Sequence, residues 1–109
     1  MADFVFSIAK DFSPNPGPRY KRQGANSGEA LRPKLLKMLG SRPGRIRVVL
    51  DGTKGMGSSF LDEAFGGLIL HEGKRKHELE KRFRFVSEVD PSYIRTIADS
   101  LERAERQVS

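Results

Sequence analysis

Ile46-Arg47-Val48-Val49-Leu50, then Asp51-Gly52-Thr53-Lys54-Gly55-Met56, then Gly57-Ser58-Ser59-Phe60-Leu61-Asp62-Glu63-Ala64-Phe65: this continuous stretch decides the fold. Its first part is a run of strand length, apolar except for Arg47, as expected of a central strand covered on both faces. A glycine-rich polar turn follows, and serines then lead into an apolar helical pattern. A strand that passes through such a turn into a helix sets hydroxyls and unpaired backbone N–H groups at the carboxyl edge of a sheet. Open α/β sheets present their ligand and partner surfaces at that edge.

Downstream of the serines the spacing predicts a helix from Phe60 to about Glu72, apolar over more than one face and therefore deeply buried or carrying a strip for a partner. Gly66-Gly67 inside it costs about 1 kcal/mol per glycine in helix propensity, and close approach of neighbouring backbone accounts for the pair. Upstream, Asp3 to Ile8 alternates, with Phe4, Phe6 and Ile8 on one face, so residues 1–12 read as the first strand. Ser13-Pro14-Asn15-Pro16-Gly17-Pro18 opens a Pro/Gly-rich loop over 13–26, with Arg19-Tyr20-Lys21-Arg22 as a short edge strand within it. Ser27 caps a helix beginning at Gly28-Glu29, with Leu31, Leu35 and Leu39 on one stripe. Pro33 either kinks its first turn or delays the regular helix to Arg32, and Gly40 stops it.

After the second helix, His71 to Arg82 is highly charged and reads as loop or frayed helix end. Arg82-Phe83-Arg84-Phe85-Val86 reads as a strand. Asp90-Pro91 starts a last helix on an Ile94, Ile97, Ala98, Leu101 stripe. The order is ββαβαβα in a single domain, residues 1–109, with 27–109 forming αβαβα. The fold class is α/β: a four-stranded, mostly parallel or mixed sheet with three helices.

Composition narrows the chemistry. The chain has 109 residues, no cysteine and a net charge of +6, which excludes disulfides, thiol catalysis and cysteine-bound zinc. The start lacks a secretory profile and no run approaches a membrane span, so the expected location is cytoplasmic. Twenty basic residues raise nucleic-acid binding as an alternative. The densest cluster, Lys74-Arg75-Lys76 with Lys81, Arg82 and Arg84, is interrupted by Glu78 and Glu80. The phenylalanines sit at core positions rather than interleaving with the bases as stacking platforms do. A solvated basic surface is the plainer reading.

The serine pair before the second helix resembles the STAS fold of anti-sigma-factor antagonists. A closer match is the STAS-like domain family of unknown function. The features carrying it are Pro16-Gly17-Pro18-Arg19-Tyr20, Gly24 with Ser27-Gly28-Glu29, and Gly57 through Gly66, within a likeness running from the first strand to about Val86. In the antagonists, a serine in Asp-Ser-Ser-Gly at this turn is phosphorylated by a kinase with a histidine-kinase-like ATPase fold, which breaks their complex. The resemblance makes Ser58 the corresponding phospho-acceptor, with Gly57 in place of the aspartate and Phe60 in place of the following glycine.

The site residues are weighed accordingly. Ser59 with Asp62 three residues on resembles a capping box, which leaves Ser58 to face solvent. Asp62 and Glu63 diverge by about 100° on a helix and do not form a joint acid/base pair. Arg19 is expected to reach across to Glu29 or Glu63 and anchor the proline-rich loop. Asp51 and Thr53 after an apolar strand resemble the nucleophile turn of haloacid-dehalogenase-type phosphatases, but the second aspartate and the downstream acidic metal ligands are missing. The Gly52, Gly55, Gly57 spacing matches neither a dinucleotide turn nor a P-loop. His71 and His77 have no third ligand, so no metal or other cofactor is implied. The expectation is a non-enzymatic regulatory module that docks a protein partner, by the resemblance such an ATPase, through Arg19, Lys54, Ser58, Phe60, Asp62 and Glu63, with Phe60 as the apolar centre. The apolar second helix leaves room for a homodimer.

Overall fold

The computed structural model describes residues 4–109; the first three residues of the expected first strand lie outside it. Three strands, β1 (Phe4–Ser7), β2 (Ile46–Val49) and β3 (Phe83–Val86), form one sheet in the order β1-β2-β3. Both pairings are parallel, so β2 is central as its apolar run implied. Five α-helices accompany them: α1 (Gly28–Ser41), α2 (Ser58–Leu61), α3 (Gly67–Leu70), α4 (Lys76–Arg82) and α5 (Ser92–Val108). A π-helical turn, Asp62–Gly66, joins α2 to α3, making one helical rod over 58–70. The Gly67 N–H completes that wide turn by donating to the Asp62 carbonyl.

Four strands and three helices were expected, and the differences have local causes. Arg19–Arg22 forms no strand; Lys21–Gln23 is a 3₁₀ turn. The N–H groups a strand would offer a neighbour are taken by side chains, Tyr20 donating to Gln23 Oε1 at 3.2 Å and Lys21 to Glu29 Oε1 at 2.8 Å. The first strand ends at Ser7, because Ser7 Oγ accepts from Lys10 N–H while Asp11 accepts from Ser7 N–H, coiling Ile8–Phe12 into a π turn. The charged stretch read as loop is helical as α4. Glu78 accepts the Arg75 N–H at its start, Lys81 and Arg82 occupy its last turn, and Leu79 is its buried contact. Helix α1 is regular from Gly28, with Ser27 Oγ accepting the Ala30 N–H at 3.0 Å and Pro33 accommodated inside.

The core lies between the sheet and the helices, around Ile8, Leu31, Leu35, Ile46, Val48, Leu50, Phe60, Phe65, Leu68 and Ile97. Phe65 meets Phe83 and Phe85 edge-on, with ring centroids 6.0 and 5.3 Å apart. The expectation that both faces of β2 are covered fails: Ile46 and Val48 are buried, whereas Arg47 is exposed. Among the described residues, the helices pack on the face that carries Ile46 and Val48.

Close approach of neighbouring backbone explains Gly66 but not Gly67, which faces the Arg32 side chain instead. A Cβ on Gly66 would sit 3.4 Å from the Ser100 carbonyl of α5, and one on Gly67 would sit 2.6 Å from Arg32 Nη1 of α1. Arg82 caps the far end of α1, donating to the carbonyls of Leu39, Arg42 and Gly44. No described helix is long and apolar enough to cross a membrane.

Candidate functional site

Parallel strands send their connections out at one edge, so the proline-rich loop, the 50–57 turn and the 87–91 loop share a rim. Gly52 and Gly55 hold the turn with φ of 97° and 136°, a backbone region that side chains disfavour. Lys54 N–H donates to the Pro14 carbonyl at 2.9 Å, and Met56 N–H donates to the Tyr93 hydroxyl at 3.2 Å. The turn is thereby pinned from both sides, while the Lys54 side chain stays exposed.

Ser58 and Ser59 are both exposed on the first turn of α2. The capping expected of Ser59 does not occur. Gly57 takes the N-cap position with extended backbone (φ −77°, ψ 159°), so the helix starts two residues earlier than expected, at Ser58 rather than Phe60, and no side chain caps it. Neither hydroxyl makes a hydrogen bond among the described residues. Phe60 is 1% exposed and packs 6.1 Å from Phe12, so it belongs to the core and is not the apolar centre of a docking face.

Asp62 and Glu63 also turn inward. One guanidinium spans both: Arg19 Nη1 lies 3.1 Å from Asp62 Oδ2 and 3.3 Å from Glu63 Oε1. Glu63 is 6% exposed. Its second oxygen accepts from Arg32 Nη1 at 2.6 Å, with His71 Nε2 3.7 Å away, and Arg32 Nε donates on to Glu72 at 3.2 Å. Asp62 Oδ1 meets Arg103 of α5 at 2.9 Å. Burial alone would raise the Asp62 carboxyl, but hydrogen bonds from Ser100, Arg19 and Arg103 hold it below the usual carboxylate range.

The result is a clasp. Arg19 brings the proline loop onto the rod, Arg32 brings α1, and Arg103 brings α5. The sequence pointed to Arg19 with Glu63, whereas Glu29 fixes the Lys21 N–H instead. Arg32, Glu72, Ser100 and Arg103 were missed. Gly67 was their available signal, since a helical glycine opposite α1 leaves a channel for a long side chain. Gly28 brings α1 against the rod so closely that a Cβ there would overlap the Phe60 carbonyl oxygen.

Between the turn and the 87–91 loop lies a cleft of ≈ 320 Å³ lined by Leu50, Asp51, Thr53, Lys54, Val89 and Tyr93, among others. Asp51 is not poised there as a nucleophile. Its carboxylate accepts the N–H groups of Glu88 at 2.9 Å and Val89 at 3.0 Å and the Ser87 hydroxyl at 3.3 Å, which keeps it ionised below its ordinary range. It ties the 87–91 loop to the turn. No group of three or more acidic or histidine side chains suited to a metal ion occurs among the described residues. In the basic cluster, Arg75 pairs with Glu105, Lys76 lies near Glu80 and Glu102, and Arg82 caps α1. Those three cations serve internal contacts.

A model of the family described as STAS-like domain of unknown function matches residues 27–93. No curated protein and no solved structure matches the chain.

Proposed function

This chain belongs to the family of STAS-like domains of unknown function, and on that premise we propose that it is a non-enzymatic regulatory module whose rim docks a protein partner. Ser58 is its switch point. One observation carries the reading: the Ser58 hydroxyl stands exposed on the first helical turn, neither capping nor bonded among the described residues, while Phe60 and Leu61 further along the same helix are built into the core. A phosphate on Ser58 would add about two negative charges beside the free N–H groups of the rod. It would leave the fold intact and repel a docked acidic surface. Lys54 and the cleft beside it supply the rest of the contact, in place of Phe60 and Glu63, which are buried. The partner class that suits such a switch is a histidine-kinase-like ATPase that both binds and phosphorylates the module.

The test pairs the protein with each histidine-kinase-like ATPase of the same genome. The expected outcome with one of them is a complex, transfer of one phosphate from ATP to Ser58 by intact mass and peptide mapping, and loss of the complex for Ser58→Asp but not Ser58→Ala. If no ATPase binds or labels the protein, or if Ser58→Asp binds as wild type does, the reading fails.

A further inference from the structure

Anion sites are built from donors that the fold leaves without acceptors. The turn between β2 and α2 carries such a set. Gly52 and Gly55 hold it at positive φ, and among the described residues the N–H groups of Gly52, Thr53 and Gly55 donate to no acceptor. Among the same residues the Lys54 ammonium pairs with no carboxylate, and the hydroxyls of Thr53 and Tyr93 donate to none. Tyr93 only accepts, from the Met56 N–H at 3.2 Å, and a Cβ on Gly55 would sit 4.0 Å from its oxygen. All these residues except Met56 line the cleft between the turn and the 87–91 loop. Its two carboxylates are engaged differently. Asp51 receives the Glu88 and Val89 N–H groups and the Ser87 hydroxyl, and Asp90 Oδ1 receives the N–H and hydroxyl of Ser92. The cleft is thus rich in open donors, while its acidic groups are held by their own loop and helix start.

The geometry points to this cleft as a binding site for a small apolar monocarboxylate, its carboxylate on Lys54 and the turn N–H groups and its hydrocarbon body on Leu50, Val89 and the Tyr93 ring. Charge selects the class. One lysine faces two aspartates across the cleft, so a phosphate, which adds nearly two negative charges, is repelled more than a carboxylate that adds one. Apolar surface selects the body. Val89 is 84% exposed, and a hydrocarbon group laid over it and the half-buried Tyr93 ring removes both from water. Volume sets the size: ≈ 320 Å³ equals the liquid volume of about ten waters, which fits a ligand of about ten heavy atoms. The proposed function gives a protein partner this same cleft, so a bound carboxylate competes with that partner for Lys54.

The test titrates the ¹⁵N-labelled protein with octanoate and with 3-phenylpropanoate, and follows the backbone amides by NMR. The expected result with at least one of them is a saturable shift of the Gly52, Thr53 and Gly55 amides, with a dissociation constant of about 1 mM or tighter. The matching neutral amides should bind about tenfold more weakly or worse. Lys54→Met should weaken binding to a similar degree, whereas Lys37→Met, which removes the same charge from the exposed side of α1, should leave it unchanged. Val89→Ser should weaken it as well, and the spectra themselves report that each variant is folded. No saturable shift with either carboxylate, or neutral amides that bind equally well, overturns the proposal. So does inorganic phosphate that moves the same amides at lower concentration, or a short peptide with a free C-terminal carboxylate that binds where both small carboxylates fail. None of these measurements involves Ser58 or a protein partner, so the rim reading stands or falls separately.

Discussion

Replacing Glu63 with glutamine keeps the shape of the clasp and removes its central charge. Arg32, whose side chain is 12% exposed, then loses its shortest partner at 2.6 Å. Removing one member of a buried pair costs about 3–5 kcal/mol, because the other charge stays buried without compensation. Two contacts reduce that figure here: Arg32 keeps Glu72 at 3.2 Å and the Glu63 main-chain carbonyl at 3.1 Å. Arg19 likewise keeps Asp62. The expected loss for Glu63→Gln is therefore about 2 kcal/mol, which lowers the melting temperature by roughly 8–15 °C for a domain of this size. Urea unfolding followed by circular dichroism should show a shift of about 1–2 M at unchanged slope. A cycle with Arg32→Met should give a coupling of at least about 1 kcal/mol. A midpoint within error of wild type, or strictly additive losses, would show that the clasp behaves as a solvated surface pair and refute the reasoning.

Gly28→Ala should cost about 3 kcal/mol or more, since its Cβ meets a main-chain oxygen that cannot rotate away, and yield of folded protein reports it. Gly40→Ala, facing open space, is the control and should be neutral or stabilising. Glu105 is held down to about 2 by Arg75 and the Lys76 N–H, against 4.5 ordinarily. A depressed carboxyl contributes stability above its unfolded value and loses it as pH falls. The α4–α5 contact should therefore weaken between about pH 4.5 and 2, and Arg75→Gln should flatten that part of the stability–pH curve. Ser58→Ala should change stability by less than about 0.5 kcal/mol by denaturant melting, as an exposed side chain without a cap role.

What could be read from the sequence follows the range of the forces involved. The β2 run, the glycine turn, the Leu31/Leu35/Leu39 stripe and the Asp90-Pro91 helix start are local patterns, and the structure keeps all of them; Asp90 Oδ1 accepts the Ser92 N–H at 3.1 Å. Arg19–Arg22 misled because its residue types say nothing of where the N–H groups go, and Gln23 and Glu29 had claimed two of them. Helix α4 was missed because its stability comes from Arg75 and Lys76 reaching Glu105, 30 and 29 residues away. Arg47 was legible as an exception in an apolar strand, and it is the exposed residue of β2.

The candidate site shows a sharper division. Ser27, Gly28, Glu29, Asp62, Glu63 and Gly66 lie within the stretch that the family model matches, Arg19 lies outside it, and each has an internal partner or a close neighbour. Their chemistry is spent on bringing a proline loop and three helices to one point. A partner can reach only what that assembly leaves outside: Ser58, Ser59 and Lys54 on the turn, the cleft that Lys54 lines, and Val89, 84% exposed at its lip. On the proposed reading the clasp sets the shape, while specificity for a partner rests on the few side chains that the shape presents. Substitutions in the clasp should abolish binding only through unfolding, whereas Lys54→Glu, Ser58→Asp and Val89→Asp should abolish it in a fully folded protein.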